Sequence, residues 1–188
     1  MNKKRSTFVI ILLLCTLGGA WLLYPYSFLS VQKMVSFTSD ELVVQAYTED
    51  LDDLRGIHEE NAREDLVNYR TESILQMYNQ NWLTNEETVQ IHYQDIDAML
   101  NEVKNARHFL LELAFLEGYS QAAKEYLKLN IQQCIAIEEA IVALKNSTFN
   151  SKTALNLQLK NLQGAFGITL DTYVSFYKDY LSKDTTII

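Results

Sequence analysis

Ten carboxylates fall between residues 40 and 65: Asp40, Glu41, Glu49, Asp50, Asp52, Asp53, Glu59, Glu60, Glu64 and Asp65. Only Arg55 and Arg63 offset them, so the segment carries −8, equal to the formal charge of the whole 188-residue chain. Carboxylates at this density can bind a divalent cation or draw in a basic partner. On a helix, at about 100° per residue, Glu49, Asp53, Glu60 and Glu64 share one face, nearly opposite a stripe of Tyr47, Leu51, Leu54 and His58. A solvated helix face is the plain reading of such a pattern. Like charges at i,i+4 cost a few tenths of a kcal/mol per pair, and their repetition argues for a dock. Glu49, Asp53, Glu60 and Glu64 are therefore the first candidate interaction residues, with a protein partner, basic in character, as the expected ligand.

The remaining chemistry is mostly excluded. Asp50, Asp52 and Gly56 superficially match a calcium loop, but its fifth position would be Leu54, its glycine comes one residue late, and Asn61 stands where the terminal glutamate belongs. His58 and His92 lie on apolar stripes, His108 does not, and none has a glutamate three residues before it, as helical di-iron sites require. Cys15 lies in the N-terminal apolar run and Cys134 is alone in the rest, which rules out a cysteine-based zinc site or disulfide framework. Neither a dinucleotide fingerprint, a phosphate-binding loop nor a nucleophile elbow occurs. The expectation is no cofactor, no metal and no enzymatic site. Without Lys3, Lys4 and Arg5, residues 6–188 carry −11, so nucleic acid is not an expected partner.

A second candidate surface is aromatic. Tyr173, Phe176, Tyr177 and Tyr180 form a strip near the C-terminus. Core packing with hydroxyls at the rim is one reading; an exposed patch for a protein or a lipid headgroup is the other.

The elements that must position these residues are helices. One proline and six glycines leave little punctuation for a β-rich fold. Thr38 and Glu41 have capping-box spacing, and a stripe through Val43, Tyr47, Leu51, Leu54, His58, Ala62, Leu66, Tyr69, Ser73 and Met77 predicts one helix to about Trp82. A turn over Asn79–Thr84 and a second capping box, Thr84 with Glu87, introduce the heptad Val89, His92, Ile96, Met99, Val103, Ala106, Leu110, Leu113, widened by Tyr93, Leu100 and Ala114. The phase is lost at Gly118-Tyr119-Ser120, which predicts a helix junction. A new register begins with Ala123, Leu127, Cys134, Ile137, Ile141 and Leu144. After a polar loop at Asn146–Ser151, a last helix carries Leu155, Leu159, Leu162, Phe166, Leu170, Tyr173, Tyr177 and Tyr180, with Gly164 and Gly167 as places to bend.

At the other end, Lys3, Lys4 and Arg5 precede the uncharged run Phe8–Tyr24, at the lower limit for spanning a bilayer. Trp21, Tyr24 and Tyr26 crowd its far end, and the cations should stay cytoplasmic. The rival reading is a signal peptide cut after Gly18-Gly19-Ala20; both readings export the acidic helical region.

The expected fold is therefore all-α: a basic tail over 1–7, an anchor over 8–24, a connector over 25–37, an extracytoplasmic antiparallel bundle of three to four long helices over 38–182, and a tail over 183–188. In layout alone this resembles the four-helix ligand-binding modules of bacterial chemoreceptors, with no residue motif behind the likeness. The expected function is a membrane-anchored, non-enzymatic interaction or accessory protein of the cell envelope, in a single-pass arrangement at a bacterial cytoplasmic membrane. The alternatives are a helical bundle binding a small ligand or metal ion, then, well behind, an enzyme whose carboxylate or histidine site the sequence does not mark, and, for location, secretion after signal cleavage. Oligomeric state is left open.

Overall fold

The computed structural model describes residues 10–12, 16, 18–19, 24–26, 33–61, 64–147 and 150–184. In chain order the elements are β1 (Met34–Phe37), α1 (Glu41–Glu60), α2 (Leu66–Tyr78), the single turn α3 (Asn81–Thr84), β2 (Val89–His92), α4 (Tyr93–Ala114), α5 (Gln121–Lys145) and α6 (Lys152–Asp184). The domain is a helical bundle with one small antiparallel ribbon, in which Met34 faces His92 and Phe37 faces Val89.

The centre is the antiparallel run α4–α5–α6. Its inner faces are the predicted stripes: Ile96, Met99, Val103, Ala106, Leu110 and Leu113 on α4, then Ala123, Leu127, Cys134, Ile137, Ile141 and Leu144 on α5, are all buried. On α6, Leu155, Leu159, Leu162, Phe166 and Leu170 continue the core. Arg107–Glu138 at 2.5 Å ties α4 to α5, as does Lys145–Asp97 at 2.5 Å. The junction falls where the heptad loses phase. Gly118 takes φ +94°, a left-handed conformation that suits glycine, and Ser120 caps α5 by accepting from the Ala123 N–H at 2.9 Å. Helix α6 runs unbroken through Gly164 and Gly167 for 33 residues, about 50 Å.

The first half packs around that core. Helix α2 lies antiparallel to α6, Thr71 meeting Tyr173 and Tyr78 meeting Thr169. Helix α1 runs parallel to α6, with Ser39 bonded to Gln163 near its start and Asp53 to Lys178 further along. The bundle thus has two ends. The sheet end holds the ribbon, the start of α4 and α6, and Tyr26, whose hydroxyl donates to the Ile91 carbonyl at 3.1 Å. The distal end gathers the end of α1, the start of α2, the α4–α5 turn and the end of α6.

Several sequence expectations are corrected. The helix expected from residue 38 to about Trp82 is three pieces, because Asp65 accepts from the Asn68 N–H at 2.8 Å and starts a new helix. The phase resets there: Val67, Thr71, Ile74 and Met77 are buried, whereas Leu66 and Tyr69 are exposed. Ala62 lies outside the described residues. Val44, not Val43, faces inward. Neither predicted capping box forms. Asp40 caps α1 by accepting from the Leu42 N–H, and Thr38 bonds Thr88 across the ribbon at 2.8 Å. Val89–His92 is strand, not helix; α4 begins at Tyr93, where Asp95 accepts from the His92 N–H at 2.7 Å. Part of the expected connector, 25–37, is therefore structural, with Val35 and Phe37 buried. Helix α6 extends two residues beyond the expected bundle boundary at 182.

The apolar run Phe8–Tyr24 lies largely outside the described residues. Of it, Ile10–Leu12, Thr16, Gly18 and Gly19 are helical. Among the described residues no helix is long and apolar enough to cross a membrane.

Candidate functional site

The aromatic strip is the seam between α6 and α2. Tyr173, Phe176 and Tyr177 are buried to 1% exposure or less, and only Tyr180 reaches the rim. This corrects the reading of an exposed patch. The tyrosines recur every three or four residues and meet polar residues of α2 at matching intervals, as antiparallel helices allow. The Tyr173 hydroxyl contacts Thr71 Oγ1 at 2.8 Å, and Thr71 itself donates to the Val67 carbonyl. Tyr177 donates to Asn68 Oδ1 at 2.7 Å, leaving its lone pairs to accept from His58 Nδ1 at 3.2 Å. Tyr180 donates to Asp65 Oδ2 at 2.6 Å. Buried hydroxyls need such partners. Burial is also the first cause holding Tyr173 protonated well above the ordinary tyrosine range.

The ladder ends in a cavity. At the distal end a pocket of about 380 Å³ is lined by Asp65, Leu66, Val67, Leu116, Glu117, Gly118, Tyr119, Ser120, Asp179 and Tyr180. Three chain segments converge there for local reasons. Asp65 is present as the cap of α2, Ser120 as the cap of α5, and Gly118 makes the turn that leads into α5. Ser120 Oγ also donates to Asp179 on α6. Tyr119 packs edge-on to Phe176 at 5.6 Å and to Tyr180 at 6.2 Å between ring centroids. Its hydroxyl is buried with no hydrogen-bond partner. Burial, then Tyr180 and Asp65, raise its pKa far above that of a free tyrosine, so it is a neutral hydroxyl. Beside the cavity, Phe115 is 85% exposed.

A second pocket, about 350 Å³, lies at the sheet end among Gln80, Trp82, Val89, Ile91, Asp95, Met99 and their neighbours. Gln80 in its wall is satisfied locally: it accepts from Trp82 Nε1 at 2.9 Å and donates to the Met77 carbonyl at 2.9 Å.

The acidic residues divide. Glu49, Asp53 and Glu60 lie exposed on α1. Glu64, also exposed, falls after the break and belongs to no shared helix face with them, contrary to the sequence expectation. Asp53 pairs with Lys178 at 2.7 Å and Asp52 with Arg55 at 2.8 Å. Partial desolvation between α1 and α6, then the charges of Asp171, Glu49 and Asp53, raise the Asp50 carboxyl above its ordinary value. Closeness in sequence to the apolar run is not closeness in space. Helix α1 carries the chain about 30 Å away from the sheet end, so Glu60 and Glu64 sit at the distal end.

The histidines and Cys134 do not meet. His58 is on the tyrosine ladder, His92 is exposed at the end of β2, and Cys134 is buried in α5, where burial pushes its thiol up to about 12. His108 pairs with Glu112 at 3.2 Å. Among the described residues no group of His, Cys, Asp or Glu is placed to hold a metal ion. Comparison with protein-family models, curated proteins and solved structures finds no match.

Proposed function

We propose that the chain is a membrane-anchored, non-enzymatic interaction protein of the cell envelope, with the acidic outer face of its helical bundle, Glu49, Asp53 and Glu60 on α1 with Glu64 beyond it, as the contact surface for a basic protein partner. The carrying observation is the two-sidedness of α1. Val44, Tyr47, Leu51 and Leu54 are buried in the bundle, while Glu49, Asp52, Asp53, Glu59 and Glu60 stand in solvent. The crowding of negative charge around Asp50 supports the reading, since a partner's cations would relieve it. Phe115, 85% exposed at the end of α4, offers a partner an apolar contact in addition. The anchor reading is supported by Ile10, Ile11 and Leu12, which are helical and more than half exposed, an apolar surface that lipid would cover. Export of the bundle follows from Lys3, Lys4 and Arg5 before that run.

The test is crosslinking and pull-down from native membranes with Glu49, Asp53, Glu60 and Glu64 all replaced by glutamine. The variant keeps the wild-type melting temperature or gains slightly and loses its partner. Wild-type recovery falls as salt rises past physiological strength. Undiminished recovery by the variant overturns the reading. The second reading, a small-ligand binder, is favoured by the distal cavity, whose volume lies within the range of ligand sites, about 300–1,000 Å³.

A further inference from the structure

We propose that the outward face of α5 is a self-association surface, on which a second copy of this chain packs its own α5 antiparallel about a two-fold axis beside Gln132. It does not depend on the acidic face of α1 and stands if that face proves inert.

Helix α5 is held on two sides. Glu138 and Lys145 pair with Arg107 and Asp97 on α4, and Gln133 donates to Thr172 Oγ1 on α6 at 3.1 Å. Its third side faces solvent, where a surface helix ordinarily carries charged and polar residues. Helix α1 follows that rule, turning Glu49, Asp52, Asp53, Glu59 and Glu60 outward. Helix α5 does not. Leu129 is 44% exposed, Ile135 43% and Val142 42%, and Ala136, Ala140 and Ala143 are exposed between and beside them. An apolar face running along a helix is the mark of a surface that a partner covers.

The charges on this face say which partner. Helix α5 holds three lysines and three glutamates, so it is neutral in a chain of formal charge −8. Lys124, Lys128, Gln132, Ile135, Glu139 and Val142 follow one another in steps of three and four and are all exposed, which makes them one stripe. Its cations lie towards the start and Glu139 towards the end. Lys124 and Glu139 are about 22 Å apart along the helix, so they cannot meet within one chain. Among the described residues neither is ion-paired. Laid antiparallel on a copy of itself, the stripe sets Lys124 against Glu139 of the second copy and Glu139 against its Lys124, the reciprocal contact that a two-fold axis requires. The same register sets Lys128 beside Ile135 of the second copy, where the aliphatic stem of the lysine covers apolar surface. A parallel pairing would put Lys124 on Lys124. A second copy approaching α1 would meet carboxylates with carboxylates; on α5 that repulsion is absent.

The experiment uses the full chain. In native membranes, Gln132→Cys with Cys15→Ser is treated with a short bismaleimide. Cys134 does not compete, because it is buried and its thiol is pushed up to about 12. The expected product has twice the mass of the chain and is missing when Gln132 is retained. The absence of any product overturns the proposal, and so does a product of another mass, which would give the face to a different protein. In detergent, sedimentation equilibrium should show a dimer that grows with protein concentration. Lys124→Glu alone and Glu139→Lys alone each weaken it about tenfold, since two attractive pairs become two repulsive ones. The two changes together restore the Kd to within about threefold of the wild-type value. Ile135→Asn, which removes apolar contact at an exposed position, also weakens the dimer. A dimer that neither charge change weakens, or that the double change does not restore, overturns the proposal; should a charge variant fail to fold, an unchanged Kd in Ile135→Asn does so. None of these substitutions touches Glu49, Asp53, Glu60 or Glu64.

Discussion

At the sheet end, Trp82 sits edge-on to Phe166 at 5.5 Å and to Phe37 at 6.0 Å, Tyr26 packs edge-on to Tyr93, and the Tyr26 and Trp82 polar atoms each have a partner. At the distal end, Asp65, Glu117 and Asp179 stand round a cavity, the Tyr119 hydroxyl has no partner, and Phe115 is in solvent. The same helices supply both ends. The difference is one of closure: at the sheet end these rings pack on one another and these polar atoms are paired, whereas at the distal end one tyrosine hydroxyl is left without a partner beside a cavity.

Mutations should separate the two ends in size of effect. The largest belongs to the sheet end. Trp82→Ala removes a 5%-exposed ring that joins the ribbon, α3 and α6, and should cost about 3–5 kcal/mol in denaturant unfolding. A cost under about 1 kcal/mol would mean that this end is not the closed one. At the distal end, Gly118→Ala meets no neighbouring atom, so its cost is that of a left-handed backbone alone, about 1–2 kcal/mol. A larger loss would show that the turn carries packing as well.

The smallest effect lies on α1. Asp50→Asn should stabilise the domain by a few tenths of a kcal/mol at neutral pH. The sign follows from the raised carboxyl pKa: the folded state disfavours the charged form, the penalty is complete above the folded pKa, and it fades as pH falls towards and below the ordinary value of 3.8. The gain in melting temperature should therefore be present at pH 7 and absent at pH 3. A gain that persists at pH 3 would place its origin in packing instead of charge.

The second half of the molecule was legible and the first half was not, for a physical reason. From Ile96 to Leu144 each apolar stripe is made of aliphatic and other core-sized side chains at helical spacing, and its loss of phase at Gly118 coincides with a turn that favours glycine. The stripe from Val43 to Met77 could be threaded as one helix only by accepting His58, Ala62 and Ser73 as inward positions. The capping aspartate at Asp65, together with Asn61, was the available signal for a break. The strands are four residues long, and Val89 and His92 fit a heptad as well as a ribbon. Helical spacing identified the faces of α1 and α6 but not their surroundings, and the strip on α6 proved to be a seam because α2, reversed by that break, lies along it. The cavity was illegible because Asp65, Tyr119 and Asp179 come from three segments, and each is present for a local reason.

The claim that the distal end is the working end can be tested by position. A photo-crosslinking residue placed at Phe115, 85% exposed beside the cavity, and another at Leu157, 61% exposed on the sheet-end half of α6, compare the two ends in one experiment, since neither position supports the core. In native membranes the residue at 115 should yield a discrete crosslinked species that diminishes with rising salt, and the residue at 157 should not. The account is contradicted if position 157 captures the partner and position 115 does not.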